Sequence, residues 1–200
     1  MSTKPDQGHE CQIRFDEYGG EPRNADLAFV GANSSGKVAI TIEAKADEPF
    51  GSTVAETFAD ALERRVASPS SRGVERITAL ASALFRPREK NAPMVGDLHY
   101  QLLTAAAGTL AYAAANEAPT AVLVVHEFRT PATHDQRHAE NERAYRTFLA
   151  RLGGTVEMSE LRTGTLLGPI AVPGFPLFDR GSSLLIGKIT TDRRQESRAE

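Results

Sequence analysis

Two hundred residues, 40% of them hydrophobic and 24% charged, are enough for one compact α/β domain with a sizeable core. A formal net charge of -3 argues against bulk electrostatic attraction to nucleic acid, while 23 Lys and Arg leave room for a local basic groove. The single cysteine, Cys11, excludes an intrachain disulfide, no apolar run reaches membrane-spanning length, and residues 1–6 hold no apolar signal core; a reducing cytoplasm is the expected compartment.

Residues 1–11 read as a flexible polar leader, and residues 12–18 as a first strand closed by Gly19-Gly20. Residues 26–30 form a second strand, residues 31–36 its hairpin loop, and residues 38–45 a third strand. In that third strand Val38, Ile40, Ile42 and Ala44 point one way, Glu43 and Lys45 the other. Thr53 and Glu56 make a capping box for a helix with Val54, Phe58, Ala61, Leu62 and Val66 on one stripe. After a loop over 68–73, residues 74–85 give a second amphipathic helix through Ile77, Leu80, Ala81 and Leu84. Asp97 is placed to cap the longest helix, 98–115, whose alanine and leucine content predicts a position deep against the sheet. The apolar run within 120–128 predicts a central strand covered on both faces. A helix over 136–152 carries Tyr145, Phe148, Leu149 and Leu152 and ends at Gly153-Gly154. A late strand over 184–189 precedes a charged tail, 192–200, that is expected to fray. With neither repeat nor linker, residues 1–200 read as a single domain.

Glu43 and Lys45 end their strand on one face, roughly 7 Å apart, and Asp26 stands on the hairpin neighbour. Two carboxylates and an ammonium gathered in this way suit a metal-and-water site. The order strand, strand with Asp, strand with Glu-x-Lys, helices, buried strand resembles the PD-(D/E)XK, or restriction-endonuclease-like, superfamily over residues 12–128. Asp26, Glu43 and Lys45 are the matching residues. The resemblance implies an α/β restriction-endonuclease-like core, a mixed central sheet flanked by helices. It implies further that Asp26 and Glu43 bind Mg²⁺ (or Mn²⁺), helped by the carbonyl of Ala44. The metal would then lower the pKa of a bound water, which Lys45 orients, unless the lysine stabilises the transition state instead. Tyr100 and Gln101 correspond to the helical tyrosine and glutamine that many members turn toward the site, although here they are adjacent rather than four apart. A leading helix with a further glutamate is not recognisable, and Glu17 is a poor substitute.

Other motifs resolve into blander readings. Residues 31–37 match G-x-x-x-x-G-K, but Val38 stands where Ser or Thr would hold Mg²⁺ and a strand follows, so the run reads as a hairpin turn. His134 and His138 have a zinc-chelating i, i+4 spacing without a third ligand nearby, and with Asp135 they read as a solvated turn. His126-Glu127 lacks the second histidine of H-E-x-x-H, Thr130 standing there, and reads as a strand-end rim. His99 is one further residue able to face a phosphate. No G-x-S-x-G elbow is present.

The leading expectation is a Mg²⁺-dependent phosphodiesterase acting on DNA, with Asp26 and Glu43 as ligands and Lys45 as the water partner. The competing one is a non-catalytic binding or assembly protein that keeps the fold, favoured by the acidic balance. A small phosphorylated substrate is a third reading, and a homo-oligomer stays open. Aromatic content of 6% and no tryptophan leave little stacking surface for single strands.

Overall fold

A computed structural model of the chain describes residues 11–153, 163–179 and 182–194. It opens with two three-residue strands, β1 (Cys11–Ile13) and β2 (Arg23–Ala25), paired antiparallel as a separate ribbon. The longer first strand expected over 12–18 does not form. Phe15 and Asp16 turn inward instead, and Arg76 pairs with the Asp16 carboxylate at 2.7 Å. Next come β3 (Leu27–Asn33) and β4 (Gly36–Lys45), joined as an antiparallel hairpin. β3 runs past residue 30 because the turn needs only Ser34-Ser35: the Asn33 side chain accepts from Ser35 N at 2.8 Å. Gly36 closes the turn at φ +118°, a conformation that favours glycine.

Helix α1 (Val54–Ala67) starts at the Thr53–Glu56 capping box with both reciprocal bonds formed. Then follow α2 (Gly73–Leu84), a 3-10 turn (Val95–Asp97), α3 (Tyr100–Ala115) and β5 (Thr120–Arg129). Helix α4 (Asp135–Leu152) ends on Gly153 at φ 97°, and β6 (Leu166–Ala171) and β7 (Ser183–Asp192) complete the chain.

The main sheet is five-stranded, in the order β3-β4-β5-β7-β6. β4, β5 and β7 are parallel and the two edge strands antiparallel, so this is an α/β fold with a mixed sheet. The steps β4 to β5 and β5 to β7 move the same way across the sheet, and right-handed crossovers then place their helices on the same face. Side-chain contacts agree. Thr41 of β4 bonds Thr109 of α3, and Glu127 of β5 meets His138 of α4. The face so covered holds Ala39, Thr41, Leu123, Val125, Leu184 and Ile186, all buried. α3 lies on it with Leu102, Leu103, Ala106 and Leu110 buried, as its apolar sequence predicts. Phe85, just after α2, meets Phe148 of α4 edge-on, ring centroids 6.1 Å apart.

Several expected boundaries and faces differ, each for a physical reason. Asp97 does not cap α3; it ends the 3-10 turn, and His99 takes the N-cap position. Backbone bonds from Val54 N to Leu98 O and from Tyr100 N to Ser52 O hold this stretch extended against the start of α1. The longest helix is α4, with 18 residues against 16 in α3. The α1 stripe is only half used. Val54 and Ala61 are buried, but Phe58, Leu62 and Val66 are exposed, because α1 packs on α2 and the 3-10 turn rather than on the sheet. In β5, residues 121–125 are all buried, yet the helices cover only one face: Leu123 and Val125 join the main core, Val122 and Val124 do not. β6 carries no regular alternation, since Gly168-Pro169 interrupts it with an irregular register. β7 continues to Asp192, and the rest of the expected leader and tail, residues 1–10 and 195–200, lies outside the described residues, as does Gly154. Among the described residues, no helix is long and apolar enough to cross a membrane.

Candidate functional site

The two-residue period of β4 brings Glu43 and Lys45 to the same face, and that face is the buried one beneath α3. Lys45 Nζ stands 3.1 Å from Glu43 Oε1, and Gln101, in the first turn of α3, donates its Nε2 to that same oxygen at 2.6 Å. Arg23, from β2, pairs with Glu43 Oε2. Lys45 also lies 3.8 Å from Glu48 and over the Phe50 ring, 5.3 Å from its centre.

Asp26 occupies the bend between β2 and β3, exposed, and its Oδ2 accepts from Ala44 N at 2.7 Å. The N–H and C=O of a strand residue point to the same edge, so the Ala44 carbonyl is also turned toward the side of Asp26. The three expected residues therefore meet at the end of β4, Glu43 and Lys45 buried and Asp26 at the surface. Carboxylate and carbonyl oxygens are the donor types that Mg²⁺ takes, with water in its remaining positions. In the structure itself Arg23 and Lys45 neutralise Glu43, and Asp26 is engaged by the backbone.

Burial pushes the Lys45 ammonium below its ordinary pKa; Glu48 and Asp26 work against that shift, and Arg23 adds to it. Burial likewise raises the Tyr100 phenol. Lys45, Glu48, Phe50, Tyr100, Gln101 and Thr104 line an open cleft of about 480 Å³, reached from Glu43 through its partners Lys45 and Gln101. Gln101 thus reaches Glu43 itself, whereas Tyr100 serves the cleft wall.

A second charged group adjoins the first. Lys45 pairs in register with Glu127 of β5. Glu127 is buried, 2.9 Å from Arg129, 3.3 Å from Lys188 and 3.2 Å from His138 Nδ1. Lys188 of β7 reaches on to Glu142 of α4 at 2.7 Å. Charged side chains therefore run across the C-terminal halves of β4, β5 and β7.

Glu127 and His138 are corrected by this geometry: neither a rim residue nor part of a solvated turn, they are a buried pair. His134 diverges from His138 and bonds Asp47 at 2.7 Å through both its backbone and its ring, which holds the Asp47 carboxyl below its usual range. His126 points to the opposite face, where it bonds Thr191 at 2.9 Å. His99 Nδ1 is tied to the Gly51 carbonyl at 2.7 Å. Glu17 is exposed outside any strand or helix. Among the described residues, no group of three or more His, Cys, Asp or Glu is arranged to hold a metal ion. Sequence reasoning missed Arg23 and Lys188. A cation in the middle of a late apolar strand signals Lys188 in retrospect, but Arg23 sits on a three-residue strand that offers no periodic pattern.

No curated protein and no solved structure matches this chain. Over residues 6–192 it matches a family described as a domain of unknown function, DUF6946, and with nearly its whole length covered the chain belongs to that family.

Proposed function

We propose that this protein is a Mg²⁺- or Mn²⁺-dependent phosphodiesterase acting on DNA, with a restriction-endonuclease-like core of the PD-(D/E)XK kind. The observation that carries the reading is the end of β4. There a carboxylate and an ammonium share one buried face, Gln101 fixes the carboxylate, and Asp26 stands beside the intervening residue. Buried ion pairs are poor contributors to stability, and charged groups with displaced pKa values beside a cleft favour a functional role.

When bound, the cation would acidify a water and offset charge on the phosphate under attack. Asp26, Glu43 and the Ala44 carbonyl would hold it, with Arg23 giving way from Glu43. Gln101 keeps the Glu43 carboxylate in one orientation. Lys45, which is easier to deprotonate than an exposed lysine, holds the attacking water, and the cleft wall at Tyr100 and Thr104 receives the substrate.

A second reading, a non-catalytic binding protein with this fold, is favoured by the Arg23–Glu43 pair, which fills the place of the cation with a side chain. Calorimetric and thermal titration with Mn²⁺, alongside cleavage of plasmid DNA, separates the two. Wild type should gain melting temperature with Mn²⁺ by mass action on the folded state, and Asp26→Ala and Glu43→Ala should lose most of that gain. Lys45→Ala should keep metal binding, and all three variants should lose cleavage. Metal binding without cleavage of DNA or RNA supports the non-catalytic reading; no metal binding at all overturns the proposal. Turnover of small phosphodiesters alone moves the substrate class.

A further inference from the structure

The register of the sheet defines a second face, turned away from all the helix contacts described above. Leu27 and Phe29 of β3 pair across to Ile42 and Ile40 of β4, and these pair on to Val124 and Val122 of β5. Leu185 and Ile189 of β7 and Leu166 of β6 extend the same surface. Leu27, Phe29, Leu166 and Ile189 are 48%, 42%, 49% and 42% exposed. Val122 and Val124 are buried but lie outside the main core cluster. At the described strand positions on this face no Asp, Glu, Lys or Arg occurs, whereas Glu43, Lys45, Glu127 and Lys188 all lie on the other face.

A sheet face left to water ordinarily reads polar, and apolar patches of more than a few hundred Å² mark contact sites. Here five strands about 4.8 Å apart and about seven residues of about 3.3 Å give a plane of roughly 24 by 23 Å, on the order of 500 Å² before side-chain relief. With relief this approaches the roughly 800 Å² per partner of a standard stable interface. A helix about 10 Å across would cover less than half of that width, and one extended segment still less. A second sheet, packed face to face about 10 Å away, covers it whole. An uncharged surface also gives a charged partner nothing to pair with, while a second copy meets it with the same uncharged, apolar character. We propose that this face is the contact between two copies of the chain, packed sheet on sheet about a two-fold axis. The cleft beside Glu43 opens on the opposite face and stays free.

Sedimentation equilibrium of the full chain, from about 0.5 to 50 μM, bracketing the micromolar affinities of ordinary specific contacts, tests this. Wild type should show twice the 21.6 kDa chain mass. Phe29→Lys and Ile189→Glu place charges at exposed positions that a folded monomer tolerates, and each should weaken the dimer at least 100-fold. Phe29→Ser gives the same direction if a charge unfolds the chain. Phe58→Lys, equally apolar and exposed but on α1, should leave the dimer intact. A wild-type monomer across the range, a dimer indifferent to Phe29 and Ile189, or equal loss in Phe58→Lys would each overturn the proposal.

Discussion

Replacing Glu43 by glutamine removes one charge from a buried group of three and leaves its shape almost unchanged. The Glu43 side chain is 3% exposed, that of Lys45 5% and that of Arg23 12%, so solvent screens these charges little. After Glu43→Gln, Lys45 loses its buried counter-charge and Arg23 loses its charged contact with Glu43. Glu48 compensates weakly, being 3.8 Å from Lys45 and 55% exposed. The new side-chain oxygen still accepts from Gln101, but its amide nitrogen meets the donors of Arg23. Removing one partner of a buried pair costs about 3–5 kcal/mol, and the surviving Gln101 bond places this variant at the lower end, about 3 kcal/mol. Urea unfolding with an unchanged slope should show it as a shift of midpoint alone. Arg23→Met should also destabilise, and the double variant Glu43→Gln with Arg23→Met should recover part of the loss, a coupling of about 1–3 kcal/mol. A Glu43→Gln cost within about 0.5 kcal/mol, the usual scatter of surface substitutions, or strictly additive single effects, would refute the ion group described here.

Two further measurements probe the support of the site. Thr109 donates to the Ala105 carbonyl at 2.8 Å, which makes Thr41 the donor in its 2.5 Å bond with Thr109. Thr109→Val should therefore strand a buried donor at a cost of about 1–3 kcal/mol, against about 0.5–1.5 kcal/mol for Thr41→Val. The double valine variant should melt higher than Thr109→Val, and a lower melting temperature would reject this assignment. For Lys45, the folded pKa lies below the ordinary 10.5, so between those two values the unfolded chain binds more protons. Stability should rise with pH across that window, and Lys45→Met should flatten the rise. An alkaline urea series with equal slopes in the two proteins would remove burial as the cause.

The parts of the site that were legible in the sequence are those fixed by local periodicity. Glu43 and Lys45 share a face because strand side chains alternate, and the Thr53–Glu56 box starts α1 because capping is a matter of four residues. What was not legible depends on distant chain. Arg23 reaches Glu43 from a three-residue strand whose place is set by packing. Asp97 has the chemistry of a cap, but the bond from Val54 N to Leu98 O keeps its segment extended until His99. Phe58, Leu62 and Val66 form a helical stripe that period alone assigns to a core, yet α1 has no sheet behind it.

The most consequential case is the direction of β4. Its apolar residues Val38, Ile40 and Ile42 look like the core side, and its polar residues like the wet side. The structure reverses this: Thr41, Glu43 and Lys45 are the buried ones. The reversal is physically possible only because the helices bring polar partners to the sheet. Thr109 and Gln101 on α3 satisfy Thr41 and Glu43, and on the neighbouring strands His138 and Glu142 of α4 meet Glu127 and Lys188. Hydrogen bonds to Thr41 and Glu43, and opposite charges beside Glu127 and Lys188, offset the cost of burying these polar groups. The apolar set is then left on the face without helices, where burial requires another surface. A one-residue slip of β4 would exchange the two faces, placing Ile42 under Gln101 and Glu43 on the apolar surface. Register in this strand therefore secures the charged site and the proposed contact together, and a substitution that charges Ile40 or Ile42 should disturb the contact before it disturbs the cleft.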